Sequence, residues 1–137
     1  MINKKYSFER SNEDWKKILS PEEYKIMREK GTENPFSGKY NTHFEKGVYL
    51  CKSCKQELYK SKSKFESGCG WPSYDSSLPD SIEYIKDTTH GMIRTEILCS
   101  TCGSHQGHVF EDGPTNSGKR YCVNSASIEF KPDSKLK

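Results

Sequence analysis

Long apolar runs are missing from this chain. No window approaches the roughly 18 apolar residues that a membrane-spanning helix needs, and Met1 to Arg10 hold no apolar segment of the kind a secretory leader carries. Charge of one sign is equally scarce. Lysine and arginine number 22 against 19 acidic residues, a net charge of +3, and the two signs are interleaved. That pattern reads as an ordinary solvated surface, and no basic stripe alternates with aromatics as a nucleic-acid interface would require. There is no internal repeat and no low-complexity tract. Apolar residues are only 31% of the 137 positions, while aromatics supply 12%. A single domain over 1–137 built from so few aliphatics must lean on aromatic packing, and it needs a staple. Without a leader, the expected setting is the reducing cytoplasm, where cysteines are metal ligands or catalysts more often than disulfides.

The chain divides by pattern into a helical part at about 12–32, a β core at about 38–131 and a polar tail at 132–137. Trp15, Ile18 and Leu19 fall at helical spacing. Ser20-Pro21-Glu22-Glu23 then reads as a second helix start: a capping serine, proline at the first helical position, and a glutamate three residues on that completes a capping box. Tyr24 and Met27 continue its apolar face, and Gly31 is the expected stop. From Gly47 the period changes to two. Short strands are expected at 48–51, 92–99, 107–110, 120–124 and 127–130, punctuated by glycine and proline, which is an antiparallel β pattern.

Six cysteines remain to be explained. Cys51-Lys52-Ser53-Cys54 and Cys99-Ser100-Thr101-Cys102 each place two thiols on one side of a tight knuckle. Two such knuckles make a closed, tetrahedral four-cysteine zinc site, structural because it leaves no coordination position open. One zinc per chain would tie together strand ends that are distant in sequence. The rival, a thioredoxin-type dithiol, needs a βαβ context that the pattern does not offer. Cys69 and Cys122 stand outside the knuckles. Cys69 has glycine on both sides and Trp71-Pro72 beside it, which marks an accessible turn. Trp71 reads either as a loop anchor or as a ligand platform. Cys122, on a short strand after the turn-rich run 111–118, reads either as core filler or as a nucleophile. His105 and His108 share a glycine-flanked turn. With zinc supplied by thiolates, they are available for acid chemistry near neutral pH.

Taken together, Ser20-Pro21-Glu22-Glu23-Tyr24, Arg28 to Glu33, Gly70-Trp71-Pro72-Ser73, Arg94-Thr95-Glu96, His105 to Phe110 and Arg120 to Ala126 resemble the type B methionine sulfoxide reductases from about Trp15 to Phe130. The resemblance implies a mainly β fold with short N-terminal helices: two antiparallel sheets in an open, barrel-like core, stapled by zinc on Cys51, Cys54, Cys99 and Cys102. It implies reduction of the R epimer of methionine sulfoxide, free or in proteins, as oxidative damage repair. Cys122 is then the attacking cysteine and Cys69 the resolving one. Trp71, His105, His108, Phe110 and Asn124 form the substrate pocket. The scheme that follows has Cys122 attacking the sulfoxide sulfur and His108, or failing that His105, protonating the oxygen. Asn124 orients the proton delivery, and Trp71 with Phe110 encloses the methyl group. The sulfenic acid left on Cys122 condenses with Cys69, and thioredoxin reduces the disulfide. The expected enzyme is a monomer with no nucleic-acid or membrane partner.

Gln106, Val123 and Tyr74 depart from residues common in that family, and Gln106 is the one close enough to alter the pocket. Arg120 is open between lowering the Cys122 pKa and facing solvent. Two other classes compete. A zinc-stapled binding module explains the knuckles but leaves Cys69, Cys122 and the histidines idle. A disulfide-stapled secreted domain needs a leader.

Overall fold

A computed structural model describes residues 12–29, 31–34, 36–40, 43, 45–65, 70–88 and 91–132. Residues 1–11, Cys69 and the tail residues 133–137 lie outside the described residues.

Helix α1 (Asn12–Ile18) and helix α2 (Pro21–Arg28) are set by local chemistry. The capping box forms as its sequence dictates. The Glu23 amide donates to Ser20 Oγ at 3.1 Å, and the Ser20 amide donates to Glu23 Oε1 at 2.8 Å. At the other end, the Gly31 amide closes on the Lys25 carbonyl at 2.9 Å. Trp15, Leu19, Ile26 and Met27 are buried. Ile18 is not part of that stripe: it is 48% exposed. With only two turns in α1, the buried line runs through the i, i+4 pair Trp15–Leu19, and Ile18 lies about 100° away round the helix from its neighbour Leu19.

All strand pairings among the described residues are antiparallel. A three-stranded sheet runs in the order β2 (Glu57–Lys60), β1 (Gly47–Cys51), β9 (Ile128–Pro132). A six-stranded sheet runs β3 (Lys64–Phe65), β4 (Ser73–Tyr74), β8 (Arg120–Val123), β7 (His105–Phe110), β6 (Arg94–Cys99), β5 (Ile82–Asp87). This is the expected mainly β architecture of two antiparallel sheets with a barrel left open. Strands β2 and β5 escape the alternation rule. The first buries its two middle residues together, and the second is an edge strand whose central residues are exposed.

The core is aromatic, as the shortage of aliphatics requires. Tyr49, Tyr59 and Tyr74 are fully buried. The Tyr59 and Tyr74 rings stack at 4.5 Å, and Tyr49 meets Tyr74 edge-on at 5.3 Å. Burial pushes the Tyr59 and Tyr74 hydroxyls well above the ordinary tyrosine range, so both stay neutral. No helix among the described residues is long and apolar enough to cross a membrane.

Candidate active site and metal centre

Strand register places the reactive groups. In β8, Cys122 faces Ser73 of β4 on one side and His108 of β7 on the other, and His108 in turn faces Glu96 of β6. Directly opposed residues of an antiparallel pair share a face, with Cβ atoms about 5 Å apart. One row across the sheet therefore carries serine, cysteine, histidine and glutamate. The next row on that face pairs Phe110 with Arg120.

His105 should not join this face. Three residues before His108, a regular strand would turn it to the other side. A bulge corrects the phase: Ile97 pairs with Gly107 and Leu98 with His105, which leaves Gln106 as the extra residue. The two imidazoles then lie 5.7 Å apart, edge to face. The histidines thus sit on a bulged strand and not in the turn that the flanking glycines suggested. Gly107 makes the bulge possible. Its φ is +156°, and a Cβ there would overlap the Cys122 carbonyl oxygen. Gly107→Ala is expected to cost about 2–3 kcal/mol through strain and forced separation of β7 from β8. A thermal melt checks this, and a wild-type midpoint would contradict it.

A cavity of about 230 Å³ opens over this face. Trp71, His105, His108, Phe110, Cys122 and Asn124 all line it, so every described residue expected at the catalytic or substrate site converges there. Thr32, Arg94 and Arg120 line it too. Arg120 is two residues from Cys122, and a period of two puts both on one face, not opposite faces. Its guanidinium stacks on Phe110 at 4.5 Å and holds Asp112 through Nε at 2.9 Å and Nη2 at 3.1 Å. Gln106 does not enter the cavity. Its side chain is fully buried, and Nε2 donates to the Ser127 carbonyl at 3.3 Å.

Each histidine is held by a carboxylate that sequence reading passed over. Glu96 Oε2 sits 2.7 Å from His105 Nδ1, with both side chains 3% exposed. Asp87 Oδ2 sits 2.8 Å from His108 Nε2 and also accepts from Arg94 Nη2 at 3.4 Å. Burial holds the His108 imidazole below its usual pKa, against the opposing pull of the Asp87 hydrogen bond. Glu96 had a signal in Arg94-Thr95-Glu96. Asp87 had none, because it reaches His108 from an edge strand.

Glu33 ties the cavity wall together. Its amide donates to Asn124 Oδ1 at 3.1 Å, its carbonyl accepts from Trp71 Nε1 at 3.0 Å, and its carboxylate accepts from the Ala126 amide at 3.0 Å. Asn124 Nδ2 donates to the Gln106 carbonyl at 3.2 Å, so the Asn124 amide braces the bulge against this loop.

The two CxxC knuckles meet at the far end of β6 and β7. Cys51 Sγ lies 3.6 Å from Cys102 Sγ, Cys54 Sγ lies 3.5 Å from Cys99 Sγ, and all four sulfurs fall within 4.8 Å of one another. A zinc ion bonded to four thiolates at about 2.3 Å sets sulfur–sulfur edges of about 3.8 Å, so the cluster fits that ion. Hydrogen bonds donated to the Cys102 sulfur push the Cys51 and Cys99 thiols up and hold the Cys102 thiol down, so the four do not ionise together until a cation joins them. Outer contacts hold the sulfurs in place. Gln56 Nε2 donates to Cys99 Sγ at 3.4 Å, Ser104 Oγ lies 3.1 Å from Cys102 Sγ, and Arg28 Nη1 donates to the Cys102 carbonyl at 3.1 Å.

A family model described as SelR domain matches residues 19–132. A protein of Methanosarcina barkeri is 56% identical over 126 residues, covering 91% of this chain and 89% of its own length. A protein of Leptospira interrogans is 51% identical over 129 residues, 93% and 98% of the two chains, and one of Pseudomonas putida GB-1 is 51% identical over 126 residues, 90% and 95%. Each of the three is named peptide methionine sulfoxide reductase MsrB. With the SelR match running through both knuckles, the histidine strand and the Cys122 strand, this chain belongs to the SelR-domain family of MsrB-type oxidoreductases.

Proposed function

We propose that this protein reduces methionine-R-sulfoxide, free or in peptides, to methionine, with Cys122 as the nucleophile and Cys69 as the resolving thiol. The observation that carries this reading is the register pairing of Cys122 with His108 beneath a cavity bounded by Trp71 and Phe110. A sulfoxide needs three things at once: a thiolate at sulfur, a proton at oxygen, and an apolar wall for the methyl group. The lining of the cavity supports this reading, with a thiol, two imidazoles and two aromatic rings around one space. Cys122 attacks. His108 gives the proton, with His105 behind it as the second donor. The Trp71 and Phe110 rings take the methyl–sulfur end, and Asn124 keeps the wall in register. Oxygen moves to Cys122, methionine departs, and the sulfenic acid condenses with the Cys69 thiol, releasing water. A thioredoxin-type dithiol then reduces the disulfide by exchange.

Zinc, held by Cys51, Cys54, Cys99 and Cys102, supplies structural cross-linking and no bond-making chemistry. The reading extends to a monomer working in the reducing cytoplasm, a setting its thiols suit.

Cys69→Ser separates the half-reactions. The variant is expected to release about one methionine per enzyme and then stop in a thioredoxin-coupled assay. Continued cycling at the wild-type rate would assign resolution to another thiol.

A further inference from the structure

The two histidines of the cavity are not gripped in the same way. Glu96 holds His105 at Nδ1, whereas Asp87 holds His108 at Nε2. A carboxylate accepts from whichever imidazole nitrogen carries the hydrogen. It thereby fixes the tautomer and the ring plane and leaves the other nitrogen for chemistry. We infer that Asp87, on edge strand β5, is a positioning residue that makes Nδ1 of His108 the atom that gives the proton to the sulfoxide oxygen, while His105 faces the cavity through Nε2.

This rests on the assignment of His108 as the donor. Asp87 is not among the residues lining the cavity, so it acts through His108. It is fixed on two sides: Arg94, its register partner on β6, donates to the same Oδ2 that takes the His108 hydrogen. Among the described residues, the titratable and charged groups facing His108 are Asp87 from β5, Arg94 and Glu96 from β6, His105 on its own strand, and Cys122 and Arg120 from β8. Asp87 raises the proton affinity of His108, while Arg94 and His105 lower it. In the step itself, the Nδ1 proton passes to oxygen as the thiolate attacks. Oxygen leaves the substrate sulfur for Cys122, the thiolate is oxidised to a sulfenic acid that keeps the proton, the sulfoxide is reduced to a thioether, and His108 is left neutral.

Asp87→Ala tests the assignment. Nitrogen-15 NMR of the wild type should show neutral His108 carrying its hydrogen on Nε2, and the variant should lose that preference. Its kcat should fall about tenfold or more, with KM unchanged within about twofold. Protonated His108 is the active form, and losing Asp87 lowers its pKa further. The alkaline limb of the rate profile should therefore move to lower pH. In a His108→Asn background, Asp87→Ala should cost nothing more. Asp87→Asn, whose amide oxygen still accepts from Nε2–H, should restore the tautomer. An unchanged tautomer and pH profile in Asp87→Ala, or a full second loss in the His108→Asn background, would overturn the assignment. A wild type inactive on the sulfoxide would instead sink the functional reading, and the NMR measurement would still decide what Asp87 does.

Discussion

Cys122→Ser is expected to abolish reduction of methionine-R-sulfoxide while leaving the fold intact. A serine hydroxyl at neutral pH is almost wholly protonated, and it cannot take the oxygen as a sulfenic acid. A loss of at least about a thousandfold, roughly 4 kcal/mol of barrier, follows from removing the nucleophile alone. The structural cost is small, because Cys122 is only partly buried, is in no disulfide, and exchanges one atom of similar size. Steady-state turnover beside a thermal melt separates the two effects. Activity near wild type would remove Cys122 from the centre of the scheme. Lost activity together with a collapsed melt would assign it to the core instead.

Cys51→Ser is the second change with a large expected effect, and it acts on the fold. Cys51 is fully buried at the end of β1, and its sulfur touches that of Cys102. Structural zinc sites are worth on the order of 10 kcal/mol in binding free energy, comparable to the whole stability of a domain this size. Losing one thiolate therefore removes much of what joins β1 to the turn between β6 and β7. Cys102 lies three residues before His105, so slack at the knuckle reaches the histidine strand directly. The variant should bind less than one zinc per chain and melt roughly 15 °C lower or more, against one zinc per chain in the wild type. Full metal content with an unchanged melt would contradict a four-cysteine zinc site.

What could be read before folding follows from the range of the forces involved. The Ser20 capping box needs four consecutive residues, and it forms as written. The knuckles are equally local, and their spacing announced a cluster that the fold then assembles from β1 and β6. A low aliphatic content foretold the tyrosine stack of Tyr49, Tyr59 and Tyr74. The residues that escaped notice act across strands. Asp87 becomes a histidine partner only through register, which no local pattern encodes, and the Arg94-Thr95-Glu96 motif marked Glu96 without telling which group it would hold. The Gln106 bulge shifts the face of His105 by one residue, and it depends on the Gly107 backbone passing close to Cys122. Arg120 was legible by counting in twos along its strand. Ile18 was misplaced because a two-turn helix offers too few positions to fix its buried stripe.

The most direct test of the central claim is consumption of separated R and S sulfoxides of N-acetylmethionine by the zinc-loaded wild-type protein with a thioredoxin system, followed by chiral chromatography and by mass spectrometry of the oxidised enzyme. The account predicts that the R epimer is converted to the thioether, the S epimer is untouched, and one disulfide joins Cys69 to Cys122. Consumption of the S epimer, no consumption of either, or turnover without that disulfide would contradict it.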